Sequence, residues 1–431
     1  MSIVHIVVEQ RDSRVKTRDC AGRRSSVGSM REHFDPWDPA HRSDPHTFWN
    51  DARERLGLPN AIGPVSGRRI WFPLRYADAV SALRDPRLGK EPQKHLPDEL
   101  VAPDMTAEGP FDVLGRNMLF LDPPDHTRLR RLVREPLSNR AISALEPQIR
   151  AIATDLVDRI DDEFDMVADF ALPLPVRVIA ALLGVPASDQ GRFRAWTQAI
   201  LGRGATEMEM MAAGMEFVQY LNELAEKRRA APGEDLVSYL LTVEDAGERL
   251  DHQEFLAMVF LLLVAGHETT VNLIGNGTVE LSRHPDEADV FASDPTGIVE
   301  SAVEELVRFH GPVESATIRF AYEDIELGEA RISIGDPVVV MLMAANRDPR
   351  QFPEPDRLDL RRVPNRHIGF GAGIHLCLGA PLARLEAAVA FRELFRRFPR
   401  FLEMAVDPAD LRWTPDFFLR GAASIPVAAR S

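Results

Sequence analysis

The segment 252–281 limits the fold of this chain more than any other, because apolar residues recur along it with helical spacing. An average α-helix in a globular protein has only about 11–12 residues. The apolar run 255–265 contains no charged residue, so most of this helix must be buried. The run is also much shorter than the ~20 residues that a bilayer requires. The sequence therefore predicts a long core helix inside a globular protein, not a membrane span.

Shorter helical patterns lie on both sides of this segment. They cover residues 77–83, 126–137, 142–160, 175–183, 190–201, 207–229, 236–241, 296–309 and 380–398. Strand-like pieces are fewer and lie at 69–72, 316–320, 325–327 and 337–343. We find no internal repeat and no linker, so we predict a mainly α protein with a smaller β region (α+β) in one large domain, residues 30–431. Residues 1–29 are polar and lack periodicity, and we expect a disordered leader without a function.

Composition and charge exclude several partners and compartments. A net charge of −15 over 431 residues argues against nucleic acid as a partner, because phosphate binding needs a basic surface. One of the two cysteines, Cys20, lies in the polar leader, so we expect no disulfide framework and a reducing compartment. The first residues lack the apolar core and the cleavage site of a signal peptide. We therefore expect a cytoplasmic protein that binds neither nucleic acid nor membrane.

The second cysteine, Cys377, stands in a glycine-rich loop directly before the last predicted helix. Its three glycines in nine residues, Gly371, Gly373 and Gly379, allow positive φ and a close approach to a bulky planar partner. Free backbone N–H groups at the start of the helix favour a thiolate and lower its pKa. Such a thiolate suits an iron ligand or, with His375 as a base, a nucleophile; a buried structural cysteine is the third reading. Zinc is excluded because no other cysteine lies nearby. The residues alone leave ligand and nucleophile about equally open.

The residues around Cys377 resemble the heme-binding signature of the cytochrome P-450 superfamily. The signature runs Phe-Gly-x-Gly-x-His-x-Cys-x-Gly, followed by Leu-Ala-Arg, and positions 370–379 and 382–384 match it throughout. The resemblance covers nearly all of the chain beyond the predicted leader. It implies the P-450 fold, a single heme-enclosing domain with heme b, and Cys377 as the proximal ligand of the iron. It also implies heme contacts from Phe370 and Gly371.

The long core helix carries an unusual polar stretch, Ala-Gly-His-Glu-Thr-Thr at 265–270. A glycine inside a helix costs up to ~1 kcal/mol, and threonine can hydrogen-bond the carbonyl one turn back and loosen the helix. A partly exposed face would explain such residues, but the apolar run before them argues for burial. The stretch resembles the oxygen-activation motif of the P-450 superfamily. The resemblance implies that Glu268 and Thr269 are catalytic and deliver protons to oxygen, and that Ala265 contacts the heme.

Two further patterns gain meaning only from the resemblance. Glu305 and Arg308 stand at i, i+3 on a helix, which alone is an ordinary surface pair worth a few tenths of a kcal/mol. They resemble the Glu-x-x-Arg element of the superfamily, which implies a buried network with Arg357 as its third member. We expect these three residues to support the heme loop and to take no part in chemistry.

His126 and Arg130 lie one helical turn apart and would otherwise form a basic solvated face. The resemblance implies that they bind the heme propionates together with Arg319 and His375, since propionates are anions. Arg128, Arg131 and Arg134 would then form a basic patch. An acidic electron donor of the ferredoxin or flavodoxin type would dock on this patch by electrostatic steering.

The resemblance implies a monooxygenase that inserts one atom of O2 into a hydrophobic small molecule by hydroxylation or epoxidation. Residues 311–317 are similar to the bacterial branch that oxidises macrolides, which implies secondary metabolism. Glu314, in this stretch, would contact a polar or cationic substrate group, or would face the solvent or cap a strand. A different heme-thiolate reaction, such as isomerisation or peroxygenation, is the second reading, and Glu268 with Thr269 argues against it. A non-catalytic heme protein, such as a gas sensor, is the third.

Overall fold

The computed structural model describes residues 34–64, 66–101, 116–200, 206–245, 247–414 and 418–430. The predicted leader, residues 1–29, lies outside the described residues. The α-helices in the described residues are α1 (Pro45–Leu56), α2 (Tyr76–Arg84), α3 (Pro92–His95), α4 (Asp125–Val133), α5 (Asn139–Ser143), α6 (Glu146–Val157), α7 (Pro173–Leu182), α8 (Gln190–Ile200), α9 (Glu207–Ala230), α10 (Leu236–Thr242), α11 (His252–Arg283), α12 (Pro285–Ser293), α13 (Val299–His310), α14 (Leu342–Ala345) and α15 (Ala380–Arg397). Shorter helical turns include a 3-10 helix at Pro39–Arg42, another at Gly373–His375 and a π-helix at Met166–Ala171.

The β-structure is small beside the helices. Its described strands are β1 (Asn60–Ile62), β2 (Arg69–Trp71), β3 (Leu88–Gly89), β4 (Glu163–Asp165), β5 (Arg319–Ala321), β6 (Ile325–Leu327), β7 (Ala330–Ile332), β8 (Pro337–Val338), β9 (Leu402–Met404) and β10 (Pro426–Ala429). They form a five-stranded sheet in the order β1-β2-β8-β5-β3, a three-stranded sheet β4-β10-β9 and the hairpin β6-β7. In the largest sheet β2 and β8 pair in parallel, whereas the other neighbours are antiparallel. The protein is thus mainly α with a smaller β region.

Helix α11 is the central element of the helical part. A capping box fixes its start, in which Asp251 accepts from the Glu254 amide and Glu254 accepts from the Asp251 amide. The helix packs against α7, α13, α15 and the π-helix. By length and apolar composition it could cross a membrane, but 72% of its most apolar window is buried inside the protein. The prediction of a long buried core helix agrees with this placement.

Several elements depart from the sequence patterns, and a proline explains one of these differences. The pattern at 142–160 divides into α5 and α6, because Pro147 occupies the first turn of α6 and has no amide to continue an earlier helix. The predicted strand at 337–343 ends at Val338, and α14 begins at Leu342. Helix α1 was not predicted, although Asp44 caps it and Pro45 occupies its first turn.

Candidate active site

The loop that carries Cys377, helices α4 and α11, and the segment 312–319 enclose a cavity of about 260 Å³. Nine of the ten residues that the sequence predicts for the site line this cavity: His126, Arg130, Ala265, Thr269, Arg319, Phe370, Gly371, His375 and Cys377. Glu268 is the exception, because it is buried on another side of α11 and is not part of the wall. Residues far apart in the sequence therefore meet around one space.

The Cys377 loop is a tight structure held by backbone hydrogen bonds. The Cys377 amide donates to the Phe370 carbonyl at 2.9 Å, and the Gly371 amide donates to the Ile368 carbonyl at 2.8 Å. Gly371 and Gly373 have φ of 76° and 73°, which side chains other than glycine rarely adopt. At Gly373 a Cβ atom would also lie 2.4 Å from a backbone carbonyl oxygen of α2. The loop thus depends on Gly371 and Gly373, as the sequence pattern predicts, whereas Gly379 has an ordinary φ of −82°.

The Cys377 side chain lies deep in the protein but is exposed to the cavity that it lines. Burial raises the pKa of the thiol, while the backbone amides of Gly379 and Ala380 and the guanidinium of Arg130 lower it. The amides at the start of α15 therefore act on the sulfur as the sequence predicts, but the expectation of a lowered thiol pKa is wrong for the protein alone. The effect of burial on the pKa exceeds that of the amides and the guanidinium, because a thiolate loses its hydration here. A cationic partner such as iron is needed to stabilise the thiolate.

Basic side chains gather on one side of the cavity. Arg319 is buried, and burial lowers its pKa to about 10. Arg130 donates to the Leu376 carbonyl at 2.7 Å, and burial lowers its pKa as well. The rings of His126 and His375 lie 4.5 Å apart between their centroids. Burial and the nearby cations lower the pKa of His375 to about 2. The four residues predicted to bind propionates are therefore brought together.

A fifth basic residue, Lys90, belongs to the same cluster and was not predicted. Its Nζ donates to both oxygens of Thr317, at 2.7 and 2.6 Å, and to the Ile318 carbonyl at 2.6 Å. Burial and the charge of Arg319 hold its pKa well below the usual value. Lys90 comes from a region without periodicity, so no local pattern marks it. A usable signal was its rarity, since the chain has only four lysines and far more arginines.

The cluster fits the two carboxylates of heme. Neither ring nitrogen of His126 makes a hydrogen bond of normal geometry among the described residues, although the Ile374 backbone lies nearby. The carboxylate of Asp122 faces the cluster but already accepts from the amides of Lys90 and Glu91. In the described residues no group of three histidine, cysteine or acidic side chains could hold a bare metal ion. An iron bound by Cys377 therefore needs ligands that the described side chains do not supply, and a porphyrin provides them.

Helix α11 presents small and hydroxyl side chains to the cavity opposite Cys377. The Thr269 hydroxyl donates to the Ala265 carbonyl at 2.9 Å, and the Thr270 hydroxyl reaches the Gly266 carbonyl at 3.5 Å. Two successive threonines thus bond backward within the helix, as predicted. Because the Thr269 proton is engaged, its oxygen presents lone pairs to the cavity. Glu268 stands one residue away, on the buried side.

Below the cysteine loop, Glu305 and Arg308 form a buried ion pair with two contacts, at 2.7 and 2.8 Å. The side chain of Arg357, predicted as the third member, is 59% exposed and pairs with Glu354 instead. The third member is Arg362, whose Nε lies 3.1 Å from Glu305. Arg357 contributes only its carbonyl, which accepts from Arg308. The prediction of a buried network is correct, and the assignment of Arg357 is wrong.

The structure also revises the predictions for the basic patch and for Glu314. Arg128 pairs with Glu254, and Arg131 pairs with Asp245 and Glu248, so the predicted basic patch is largely neutralised by neighbouring acids. Glu314 is fully buried and does not line the cavity. Its carboxylate faces the other way, so it serves the structure and does not contact the substrate.

These contacts define a heme-thiolate oxygenase, because the lone thiol and the cation cluster match the iron and the carboxylates of a heme, and a helix with an inward hydroxyl faces them. The family description "Cytochrome P450" matches residues 297–421. Cytochrome P450 107B1 of Saccharopolyspora erythraea is 42% identical over 91% of this chain and 96% of its own length. The 6-deoxyerythronolide B hydroxylase of the same organism is 39% identical over 89% and 96%.

Solved structures agree with the sequence relatives. Myxobacterial cytochrome P450 CYP267B1, in complex with myristic acid, superposes with a TM-score of 0.83 at 45% identity, over 92% of this chain and 98% of that chain. The chain therefore belongs to the cytochrome P450 family. It is a heme b-dependent monooxygenase that needs O2 and a redox partner. The predictions of fold class, cofactor and enzyme class are confirmed.

Proposed function

We propose that this enzyme hydroxylates or epoxidises a neutral hydrophobic small molecule of secondary metabolism, with electrons from a ferredoxin-type donor. The observation that carries the proposal is the cavity itself, in which a thiol, a hydroxyl-bearing helix and a cation cluster surround an otherwise apolar space. The hydroxylase among the relatives and the fatty acid bound by the structural neighbour support a hydrophobic substrate. When heme is bound, its iron supplies the site at which dioxygen binds and is activated.

The residues on the cofactor side of the cavity each have a proposed part in holding the heme. Cys377 is the iron ligand, and the amides of Gly379 and Ala380 donate to its sulfur. His126, Arg130, Arg319 and His375, with Lys90, bind the propionates as charge-assisted donors. Phe370 and Gly371 form the loop wall, where the Arg384 guanidinium lies 4.3 Å from the centre of the Phe370 ring. Ala265 is small enough to let a planar group approach α11.

Proton delivery is proposed for the polar stretch of α11. Thr269 donates to the Ala265 carbonyl, so its oxygen can accept a hydrogen bond from a ligand in the cavity. Glu268 is buried within the same helix, one residue away, and would pass protons from solvent toward this position. Overall, one oxygen atom enters the substrate, and the other leaves as water with two protons and two electrons.

The substrate class follows from the wall above Cys377. Leu261, Leu262, Val313, Ala316 and Phe418 line it. Among the described lining residues, the charged or basic side chains all belong to the cluster assigned to the propionates. Apart from the Cys377 thiol, the remaining polar side chains there are hydroxyls. A substrate held by such a wall has no charge to pair, so we propose a neutral, mostly apolar molecule.

The setting of the enzyme is also proposed. The bacterial P450 relatives support a cytoplasmic location. We propose that residues 30–431 form one heme-enclosing domain. One hydrophobic cluster joins elements from α4 to β10, and the N-terminal strands β2 and β3 pair with β8 and β5. Since Arg128 and Arg131 are paired with acids, the electron donor would rely more on Arg134, which is exposed.

A carbon monoxide difference spectrum of the reduced protein tests the assignment of Cys377. The parent should show the red-shifted Soret band of thiolate ligation, and Cys377→Ser should lose it. Cys20→Ser is the matched control and should keep the band. A parent without heme, or a thiolate band that survives in Cys377→Ser, would overturn the proposal.

A second experiment tests catalysis. NADH oxidation through a ferredoxin and its reductase should couple to product formation in the parent. Thr269→Ala should divert electrons to peroxide, while Thr278→Ala, a buried threonine of the same helix whose hydroxyl bonds the Ile274 carbonyl, should not. Full coupling in Thr269→Ala would contradict the proton role, and no oxidation of any hydrophobic compound tried would favour a non-catalytic heme protein.

A further inference from the structure

Two chain segments that border the cavity run side by side and hold each other in place. The Glu314 amide donates to the Phe418 carbonyl at 2.9 Å, and the Arg420 amide donates to the Pro312 carbonyl at 2.9 Å. Val313 and Leu419 form the β-bridge between these bonds. Pro312, Val313 and Phe418 line the cavity. The position of this paired unit, residues 312–314 with 418–420, therefore sets the shape of one wall.

An arginine from the N-terminal part of the chain holds both members of the paired unit. Nη1 of Arg42 lies 3.0 Å from Oε1 of Glu314, and Nη2 lies 2.9 Å from Oε2. The Arg42 carbonyl accepts from Nη1 of Arg420 at 2.5 Å. Arg42 thus binds the segment 312–314 through its side chain and the segment 418–420 through its backbone carbonyl. It is not itself part of the cavity wall.

The partners of Arg42 have little freedom to rearrange. Glu314 is fully buried, and its second donor is the Trp49 indole at 2.8 Å. Arg420 lies over the Trp413 ring, 3.9 Å from its centre, and its carbonyl accepts from Asn276 of α11 at 2.9 Å. Without Arg42, Glu314 would be a buried carboxylate with no cation at hydrogen-bond distance among the described residues. Such a group must draw in water or move, because burial of an unpaired charge is unfavourable.

We propose that Arg42 is a positioning residue for substrate binding, which fixes the cavity wall at 312–314 and 418–420 from behind. The inference rests on the substrate role proposed above for the cavity. It predicts that a change outside the cavity alters the fit of large ligands while the heme side of the cavity keeps its geometry. A merely structural role predicts loss of stability without a selective effect on the wall.

Amide exchange in the ligand-free enzyme tests the positioning directly. In Arg42→Ala we expect exchange to rise by about tenfold or more at the Glu314 and Arg420 amides, because both bonds of the paired unit loosen together. Arg228→Ala is the matched control, since Arg228 also pairs with an acid (Asp235, 2.6 Å) and donates to a carbonyl, but lies away from the cavity. Equal exchange at the two amides in both variants would overturn the proposal. This measurement does not depend on substrate or on heme chemistry.

Spectral titration with two heme ligands tests the effect on fit. Imidazole needs only the iron, whereas 4-phenylimidazole also has to fit the cavity. We expect Arg42→Ala to weaken 4-phenylimidazole binding by about five-fold, roughly 1 kcal/mol, and to leave imidazole within about two-fold. Arg228→Ala should change neither. Parallel changes for both ligands, or none, would overturn the proposal. If neither ligand gave a spectral change in the parent, the proposed heme function would fail, while the exchange result would still stand.

A double variant separates positioning from stability. Arg42→Met with Glu314→Gln removes both charges at similar volume and leaves the Trp49 donor a partner, so we expect near-parental thermal stability. The weaker binding of 4-phenylimidazole should persist, because the side-chain contact of Arg42 to Glu314 is gone and only its carbonyl still holds Arg420. Arg42→Lys, which keeps the charge, should recover most of the binding and also serves if Arg42→Ala does not fold. Parental binding in the double variant would show that charge neutrality alone is enough and would refute the positioning role.

Discussion

Replacement of Arg362 by alanine should destabilise this enzyme, whereas the same replacement at Arg357 should have almost no effect. The Arg362 side chain is 9% exposed, and its Nε lies 3.1 Å from the fully buried Glu305. Its two terminal nitrogens donate to the carbonyls of Pro353, Glu354 and Arg357, at 2.7, 3.2 and 3.0 Å. The Arg357 side chain is solvent-exposed and makes one contact, to Glu354 at 3.3 Å.

The size of the effect follows from what remains after the substitution. Breaking a buried ion pair completely costs about 3–5 kcal/mol. Here Arg308 stays on Glu305 with two contacts, so the carboxylate remains paired and the loss is closer to one charge-assisted hydrogen bond, about 1.5–3 kcal/mol. The carbonyls that Arg362 leaves belong to exposed residues and can bind water. For Arg357→Ala we expect no more than about 0.5 kcal/mol, as for other exposed ion pairs.

Calorimetry of the two variants at one scan rate checks the prediction. With an unfolding entropy of about 2.1 cal/mol/K per residue, 1 kcal/mol shifts the Tm of a chain of this length by about 1 °C. Arg362→Ala should therefore melt about 2–3 °C below the parent and Arg357→Ala within about 0.5 °C of it. Both should retain the carbon monoxide band of the parent. The reasoning is refuted if Arg357→Ala melts as low as Arg362→Ala, or if Arg362→Ala melts with the parent.

Three further substitutions have defined outcomes. Lys90→Met should release heme to excess apomyoglobin about tenfold faster through loss of a charge-assisted contact, while Lys94→Met, at an exposed side chain, should not. Burial and nearby cations hold the folded-state pKa of His46 well below 6.5, so the unfolded state binds the extra proton at this position as the pH falls. Because burial also lowers the pKa of His310 and His375, His46 accounts for only part of the loss of stability from pH 7 to 5.5, and in His46→Gln this loss should be smaller by about 1 kcal/mol. Gly373→Ala should lower heme retention and cost more than the about 1 kcal/mol expected at Gly67, which also has positive φ but no neighbour within 4 Å. Equal melting of the two glycine variants would contradict this steric argument.

The elements that the sequence predicts well are those fixed by local patterns. Helix α11 has a continuous apolar period, and the Cys377 loop has its glycines and thiol within ten positions, so both could be located without long-range information. The division at Pro147 and the missed helix α1 show the limit of periodicity, because caps and prolines decide such boundaries.

The misassigned parts of the site depend on contacts between distant segments. Arg357 and Arg362 are both arginines after the same helix, and only the path of the intervening turn decides which one reaches Glu305. Lys90 joins the cation cluster through the Thr317 carbonyl, 227 positions away in the chain. Burial of Glu314 behind the wall likewise depends on Arg42, 272 positions earlier. The spacing of residues along the sequence does not reveal these long-range contacts.

The enzyme uses separate anchors for its cofactor loop and for its substrate wall, and this division bears on how the family can diversify. Glu305 holds the segment that leads into the heme loop, and Glu314 holds the wall at 312–314; within the described residues the two carboxylates share no hydrogen-bonding partner. Changes at independent sites usually add in their effects. Substitutions that reshape the wall for a new molecule can therefore accumulate while the heme loop keeps its support. Recombination of wall segments between relatives should succeed most often when the partner of Glu314 is transferred with them.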